Sequence, residues 1–446
     1  MKRKDNDMID VQADPMKVER ALLVGLKYPE DSDRIVDEHL DELASLSDTL
    51  GIPVVDRQIA RLRKPQSRFL VGSGKAEELA ERARTVKADV IIMDEQLSPS
   101  QQRNWEQLTG LAVIDRQEVI LDIFAERAQT REAVLQVSLA RAEYDLPRLK
   151  RKWTHLSRQA GASGGAATRG EGEQQIEVDS RLVRNRIAKL QSQLDEVRRQ
   201  RRVQRKKRLQ KPVPVAAIVG YTNAGKSSLL NTMTDAHVFT EDKLFATLDP
   251  TVRRVQLPNR QELLLADTVG FVRKLPHQLV EAFKATLEEA AEADFLIEVL
   301  DVTDEWVDDH HETTRAVLAE LDSDRKPVIT VFNKIDLVDD KFQVRRLKRR
   351  YKDAVFMSAR SGEGHQQLVD ALADELGRNL KKTGLLVPHH RYDVTAMVHR
   401  TSHVHAEKHT AEGTLILASL PGSIHEMVRG FENKNAESID AVEIEG

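Results

Sequence analysis

The sequence of 446 residues contains no cysteine, which excludes disulfide bonds and thiolate metal sites and fits a reducing compartment. Long apolar runs are missing as well. None approaches the roughly 18 residues that indicate a membrane span, and the charged N-terminal stretch MKRKDNDMIDVQADP lacks the apolar segment of a signal peptide. We therefore expect a cytoplasmic protein with no membrane span.

Charge is balanced over the whole chain but not along it. Lys and Arg total 68 against 72 Asp and Glu, for a formal net charge of −4. Between Arg181 and Lys211, however, thirteen basic residues are opposed only by Asp195 and Glu196, a local net charge of +11. Such a segment suits RNA phosphates, although a solvated coiled-coil face is the alternative. Because aromatic residues are only 4% of the chain, recognition of RNA shape and phosphate is favoured over base stacking.

The pattern of strands, helices and glycine-rich stretches divides the chain into four parts. Residues 1–132 alternate strands with helices, which predicts an N-terminal α/β domain; Ser32 and Gly51 fit the start and end of one helix. A second strand–helix alternation spans residues 212–380, and a small α+β domain with an acidic end spans residues 381–446.

Residues 133–211, between the two alternations, predict a long basic helical hairpin with a glycine-rich tip. The first helix should be interrupted near Pro147, and the glycine-rich stretch 158–173 reads as a flexible loop. The second helix is expected from about residue 175 to 210. Its apolar residues repeat at heptad spacing: Val183, Ile187, Leu190, Leu194 and Val197.

The strongest local motif follows the strand-like run PVAAIV. Gly220 and Gly225, with four residues between them, precede Lys226 and Ser227, and an apolar helix follows. Glycines let the backbone wrap a phosphate with its N–H groups inward, and the helix N-terminus adds partial positive charge. Lys226 is expected to reach the β- and γ-phosphates, and Ser227 to bind Mg²⁺.

Three further motifs occur in the order that a GTP site needs, each after a predicted strand. Asp267–Gly270 fits a magnesium contact and a γ-phosphate contact, and Asn333–Asp336 fits guanine, whose N1–H and 2-amino group both donate to a carboxylate. In Ser358–Arg360, a backbone N–H is expected to meet the guanine oxygen. An ATP-binding P-loop protein would leave the last two motifs unexplained. Residues 212–380 are therefore predicted to form a P-loop G domain with a mostly parallel sheet.

Two questions about the site stay open from the motifs alone. A switch segment should supply a threonine to Mg²⁺, and both Thr247 and Thr251 are candidates by spacing. Phe271 stands where many GTPases place a glutamine that orients the attacking water, so we expect slow intrinsic turnover.

The strings GYTNAGKSSLLN, FATLDPTVRR, DTVGFVRKLPHQLVEAF and NKID closely resemble the HflX family, GTPases related to Obg, and the resemblance extends over roughly residues 18–380. It implies a ribosome-associated GTPase that binds the large subunit and its rRNA, and some members split 70S ribosomes, particularly under heat stress. In this family FATLD is the switch I segment, which assigns the magnesium threonine to Thr247. No function is implied for residues 381–446.

The motifs and the resemblance together assign a full set of site residues. Catalytic roles fall to Lys226, Thr247 and Gly270, and Mg²⁺ ligands are Ser227 and Thr247. Nucleotide contacts are assigned to Gly220, Tyr221, Thr222, Asn223, Ala224, Gly225, Lys226, Ser227, Phe245, Ala246, Thr247, Leu248, Asp249, Asp267, Thr268, Val269, Gly270, Asn333, Lys334, Ile335, Asp336, Ser358, Ala359 and Arg360.

Two sources could supply the group that Phe271 cannot. One is the ribosome, acting in trans. The other is K⁺, because Asn223 occupies the position where some GTPases of the wider class hold that ion; the alternative for Asn223 is a loop-stabilising role. The leading hypothesis is a monomeric GTPase that dissociates or recycles 70S ribosomes under stress. The alternatives are a GTP-dependent assembly factor for the large subunit and, in another class, a non-catalytic RNA-binding scaffold.

Two weaker patterns carry no function. Gly72 to Lys75 resemble a truncated P-loop but lack its full spacing, so we interpret them as a helix entry. The histidine-rich C-terminal part, including His403 and His405, is interpreted as surface histidines in preference to a metal site.

Overall fold

The computed structural model describes residues 20–149, 169–208, 213–234, 244–245, 248, 251–258, 261–274, 289–338, 341–378, 381–420 and 422–433. By internal contacts the chain forms two compact units. One contains residues 1–126 and 141–187, and the other contains residues 127–140 and 188–446. Both are α/β, as predicted.

The first unit contains a parallel four-stranded sheet in the order β2-β1-β3-β4. Its strands are β1 (Ala21–Lys27), β2 (Val54–Arg61), β3 (Val90–Met93) and β4 (Ala112–Asp115). The helices that follow them are α1 (Asp33–Thr49), α2 (Ser73–Thr85), α3 (Pro99–Thr109) and α4 (Arg116–Arg127). Apolar residues of strands and helices meet in one core, which includes Trp105.

Local signals set the helix ends in this sheet layer. The Ser32 hydroxyl accepts the Ile35 N–H at 3.2 Å and caps α1. Gly51 follows the end of α1 with a φ of +69°, a conformation that glycine adopts without strain. Gly72 directly precedes α2, so the truncated P-loop is a helix entry, as predicted.

Two further helices are α5 (Arg131–Asp145) and α6 (Arg169–Arg208). The first ends before Pro147, and a 3-10 turn follows at Leu146–Arg148, as predicted. The glycine-rich loop prediction is wrong for residues 169–173, which begin α6. The sequence has two glutamates in this stretch, and negative charge near a helix N-terminus is favourable. Residues 158–168, the rest of the predicted tip, lie outside the described residues. Leu190 and Leu194 of the heptad are buried.

The second unit contains a six-stranded sheet in the order β10-β9-β8-β5-β7-β6, in which only the β6–β7 pair is antiparallel. The strands are β5 (Val215–Gly220), β6 (Thr251–Gln256), β7 (Glu262–Asp267), β8 (Phe295–Asp301), β9 (Val328–Asn333) and β10 (Val355–Phe356). The helices are α7 (Lys226–Thr234), α8 (Val307–Glu320), α9 (Lys341–Arg350) and α10 (His365–Arg378). Because the carboxyl ends of parallel strands share one sheet edge, the predicted motifs meet there.

The C-terminal part of this unit has an antiparallel sheet, β11-β13-β12, with an apolar core shared by its helices. Its strands are β11 (Lys381–Val387), β12 (His403–His409) and β13 (Thr414–Leu420), and its helices are α11 (Tyr392–Thr401) and α12 (Gly422–Val428). Among the described residues, none of the helices has the length and apolar character needed to cross a membrane.

Candidate nucleotide site

The loop between β5 and α7 has the shape of a phosphate cradle. Gly220, Asn223 and Gly225 all have positive φ, at +141°, +59° and +93°. Within the part of the chain that the structure describes, the N–H groups of Asn223 and Gly225 donate to no acceptor. The Thr222 hydroxyl is buried and has no hydrogen-bond partner there either. Inward N–H groups without protein acceptors are what an anion needs.

Close contacts fix the glycines of this loop. A Cβ on Gly220 would lie 2.2 Å from the Val299 carbonyl oxygen of β8, and a Cβ on Gly225 would lie 2.2 Å from Asn333 Nδ2. Neither position has room for a side chain, and both have a φ that other residues rarely adopt. The spacing of the motif is therefore explained by the packing of the loop against β8 and β9.

Lys226, the first residue of α7, is buried at 7% exposure. Its Nζ donates to the Tyr221 carbonyl oxygen at 2.7 Å, so the lysine side chain folds back over the loop. Burial lowers the pKa of Lys226 to about 8, although the Asp267 carboxylate opposes the shift. A bound anion would favour the charged form of this lysine.

Ser227 and Asp267 lie side by side at the edge of the sheet. The Ser227 hydroxyl donates to Asp267 Oδ2 at 2.7 Å, and the Asp267 side chain is buried at the end of β7. A hydroxyl and a carboxylate are hard oxygen donors of the kind that Mg²⁺ prefers. These two residues therefore fit a magnesium ion.

Residues 268–271 lie against the phosphate loop. A Cβ on Gly270 would be 2.8 Å from both Lys226 Nζ and Thr222 Cα, so the glycine backbone touches the loop. Phe271 donates its N–H to Gly220 O at 3.1 Å and accepts the Thr222 N–H at 2.8 Å, as in a parallel bridge. The side chain of Phe271 is 1% exposed. Thr268 donates its hydroxyl to Ile218 O at 2.7 Å, which ties this segment to β5.

Asn333 links three of the predicted motifs. Its Nδ2 donates to Ala224 O and its Oδ1 accepts the Ala359 N–H, both at 2.9 Å. Lys334 has a positive φ and its Nζ lies 2.7 Å from Asp301 Oδ2, which orients the turn. Asp336 is exposed and makes no hydrogen bond to any residue that the structure describes. Its carboxylate is available to a base.

The Ser358–Arg360 turn is closed by its own hydrogen bonds. The Ser358 hydroxyl accepts the N–H groups of Arg360 at 3.2 Å and Ser361 at 3.0 Å. Since Asn333 already takes the Ala359 N–H, a guanine oxygen would have to share or replace one of these bonds. The turn is at the predicted place, but its N–H groups are engaged within the protein.

The switch segment is described only in part. Phe245 and Leu248 are buried, whereas Ala246, Thr247 and Asp249 lie outside the described residues. Thr251, the alternative by spacing, begins β6 and pairs in register with Asp267.

Two residues at this edge carry contacts that the sequence did not signal. His310 of α8 stacks on Tyr221 of the phosphate loop, and Asp304 lies beside His310. No motif marks either residue. Within the described ranges, no group of three or more His, Cys, Asp or Glu side chains could hold a metal ion.

Comparison with known proteins identifies the family. Three family models match in sequence: an N-terminal region of GTP-binding GTPases at residues 37–125, their middle region at 127–208, and a 50S ribosome-binding GTPase domain at 215–334. A GTPase HflX of Akkermansia muciniphila is 47% identical over 95% of this chain and 99% of its own length. The chain belongs to the HflX family of GTPases. It is a GTPase, with GTP as substrate.

A second relative agrees with this assignment. The HflX GTPase of Escherichia coli is 44% identical over 83% of this chain and 86% of its own length. Among solved structures, a GTP-binding protein from the archaeon Sulfolobus solfataricus in complex with GDP is 26% identical, with a TM-score of 0.40, over 80% of this chain and 98% of that one. The HflX resemblance drawn from the motifs is confirmed.

Proposed function

We propose that this HflX-family GTPase binds the large ribosomal subunit and uses GTP binding and hydrolysis to dissociate or recycle 70S ribosomes under stress. The observation that carries the proposal is α6, a continuous helix of 40 residues whose C-terminal half is strongly basic, in the same chain as a nucleotide-responsive loop. Helical basic surfaces neutralise RNA phosphates and release counterions. A match to a 50S ribosome-binding GTPase model supports the same partner, which would place the protein in the cytoplasm.

The described geometry supports a role for each part of the site. The N–H groups of Asn223 and Gly225 would hold the phosphates, with Lys226 charged beside them. Asp336 would accept the two guanine donors. Gly270, which touches the loop in this structure, would meet the γ-phosphate through its N–H. GTP and GDP would differ at that contact, which makes the segment a switch.

A magnesium ion fits Ser227 and Asp267, and Thr247 is the third residue proposed for it. When bound, the ion neutralises the charge of the β- and γ-phosphates. Asp267 keeps the Ser227 hydroxyl oriented, and Thr268 holds the segment against β5.

Slow intrinsic hydrolysis follows from Phe271. Its side chain is buried and carries no group that could orient water. We propose that the ribosome supplies the missing group in trans. A K⁺ ion at Asn223 is the second candidate, and the exposed, left-handed conformation of Asn223 at the rim of the loop is compatible with it. Hydrolysis rates in matched Na⁺ and K⁺ buffers decide this point, since equal rates rule out the ion.

The proposal is tested by sedimentation. Purified 70S ribosomes are mixed with the protein and GTP, GDP or a non-hydrolysable GTP analogue, and separated on a sucrose gradient. We expect subunits to accumulate with GTP and with the analogue, but not with GDP. A Lys226→Ala variant, which should not hold nucleotide phosphates, serves as the control.

Other outcomes favour the other functions. Binding only to free or immature large subunits, with intact 70S peaks, would indicate an assembly factor. Binding that is indifferent to nucleotide would indicate a scaffold and would contradict the proposal. The protein is expected to remain a monomer in each case.

A further inference from the structure

The ring of Tyr221, the second residue of the phosphate loop, packs against His310, a residue that belongs to none of the sequence motifs. Its ring stacks on the His310 ring with centroids 3.7 Å apart and planes inclined by 12°. Both side chains are largely buried, with Tyr221 at 6% exposure. A parallel stack this close leaves the tyrosine ring little freedom to rotate.

His310 is itself held in place by Asp304. The His310 Nδ1 lies 3.1 Å from Asp304 Oδ2, and Asp304 Oδ1 accepts the Trp306 N–H at 2.8 Å. Burial raises the pKa of the Asp304 carboxyl, but the contacts with His310, the Trp306 N–H and the charge of Lys334 together outweigh burial, so the pKa ends below its usual range. The carboxylate therefore stays ionised beside the ring and fixes its orientation.

On its other side, Tyr221 reaches the segment that senses the γ-phosphate. The Tyr221 hydroxyl accepts the Arg273 backbone N–H at 2.9 Å. Two residues earlier, Phe271 forms its two backbone bonds with the loop, and Gly270 lies against Lys226. The position of Gly270 is thus supported before it by the Thr268 hydroxyl bond to β5, and after it by the backbone bonds of Phe271 and the Tyr221 bond to Arg273.

We propose that His310 is a positioning residue for GTP hydrolysis. By stacking on Tyr221 it aims the tyrosine hydroxyl at Arg273, and through that bond it keeps Gly270 where the γ-phosphate arrives. The inference rests on the proposed assignment of this loop as the GTP site. It predicts a selective defect, because GDP binding uses the loop itself, whereas hydrolysis also needs Gly270 in place.

The test compares four variants of the full-length protein with the wild type. Single-turnover GTP hydrolysis, the Kd for fluorescent GDP and the melting temperature are measured for His310→Ala, His310→Phe, Tyr221→Phe and the double variant His310→Ala/Tyr221→Phe. Glu312→Ala, an exposed substitution on the same helix, is the matched control and should change none of these values.

Loss of the stack or of the tyrosine hydroxyl should slow hydrolysis by about three- to tenfold, because this is the range expected for one ring stack or one hydrogen bond. The Kd for GDP should stay within about twofold of the wild-type value. His310→Phe keeps a flat ring and should restore most of the rate. The double variant should be no slower than the slower single variant, since both act through the same bond.

Several results would overturn the inference. These are wild-type hydrolysis in both His310→Ala and Tyr221→Phe, additive defects in the double variant, or a GDP affinity that falls together with the rate, which a general loosening would produce. Tyr221→Phe and His310→Phe keep the test decisive if His310→Ala fails to fold. A wild-type protein that binds no guanine nucleotide would instead refute the proposed site.

Discussion

At the scale of single residues, Lys226 is predicted to make nucleotide binding sensitive to pH. Burial lowers its pKa to about 8, and only the charged lysine attracts a phosphate. Since a bound nucleotide favours the charged form, binding above pH 8 requires proton uptake. The affinity should therefore be constant below pH 8 and weaken above it, by up to about tenfold per pH unit.

This dependence is measured by titrating fluorescent GDP at fixed Mg²⁺ from pH 6.5 to about pH 9.5, a range chosen to bracket the lysine pKa. The matched control is Lys226→Arg, whose guanidinium stays charged throughout. The affinity of this variant for GDP should not fall over the pH range in which the wild-type affinity falls. A wild-type affinity that is flat through pH 9 would contradict the proposed role of the lysine.

Phe271 gives a second residue-scale prediction. Its side chain is among the largest fully buried ones, so it is enclosed by other protein atoms. Phe271→Gln should therefore not speed hydrolysis, and it should destabilise the protein by roughly 3 kcal/mol through lost packing and a buried amide.

The measurement is chemical denaturation together with single-turnover hydrolysis. Phe271→Leu is the control and should cost less than about 1.5 kcal/mol, because apolar packing is largely kept. An increase in the hydrolysis rate of Phe271→Gln would show that this position faces the attacking water after all.

At the scale of elements, sequence reasoning located the strands and loops of the site because each motif follows a buried strand. The P-loop after β5 and the Asn333–Asp336 turn after β9 are where the alternation predicts them. The tie between Asn333 and the loop, and the stack of His310 on Tyr221, could not be predicted, because they depend on how helices and strands far apart in sequence pack. The sequence predicts that α6 begins near residue 175, but the helix begins at Arg169. The prediction was late because it gave the glycines of this stretch more weight than its glutamates.

The basic surface of α6 carries the element-scale prediction. Arg184, Arg186 and Lys189 of this helix are exposed and have no ion-pair partner among the described residues. Reversing all three to Glu should weaken binding to large subunits and reduce the slope of log K against log salt by about 3, while the GTPase rate without ribosomes stays unchanged.

The control reverses the same number of charges elsewhere. Arg345, Arg346 and Arg349 of α9 are exposed too, so their triple change to Glu matches the net charge of the first variant. The affinity of each triple variant for 50S subunits is measured by filter binding at several salt concentrations. An equal loss of 50S affinity in both variants would mean that overall charge, and not the basic surface of α6, determines binding.

At the scale of the whole molecule, the family and the fold class followed from the order of four motifs along one chain, which no single short string could establish. The two units and their sheet orders came from the structure, because strand order depends on packing that sequence patterns do not encode. What the molecule does with GTP is proposed from two features together: the basic helix α6, and a phenylalanine at position 271, where many GTPases have a water-orienting glutamine.

The most direct test of this account is the rate of single-turnover GTP hydrolysis by the full-length protein, measured alone and with saturating 50S subunits in the same buffer. Because the buried Phe271 side chain has no group that could orient water, the account predicts a slow rate alone and an increase of at least about tenfold with the subunits. Equal rates, with 50S binding demonstrated in the same samples, would contradict it.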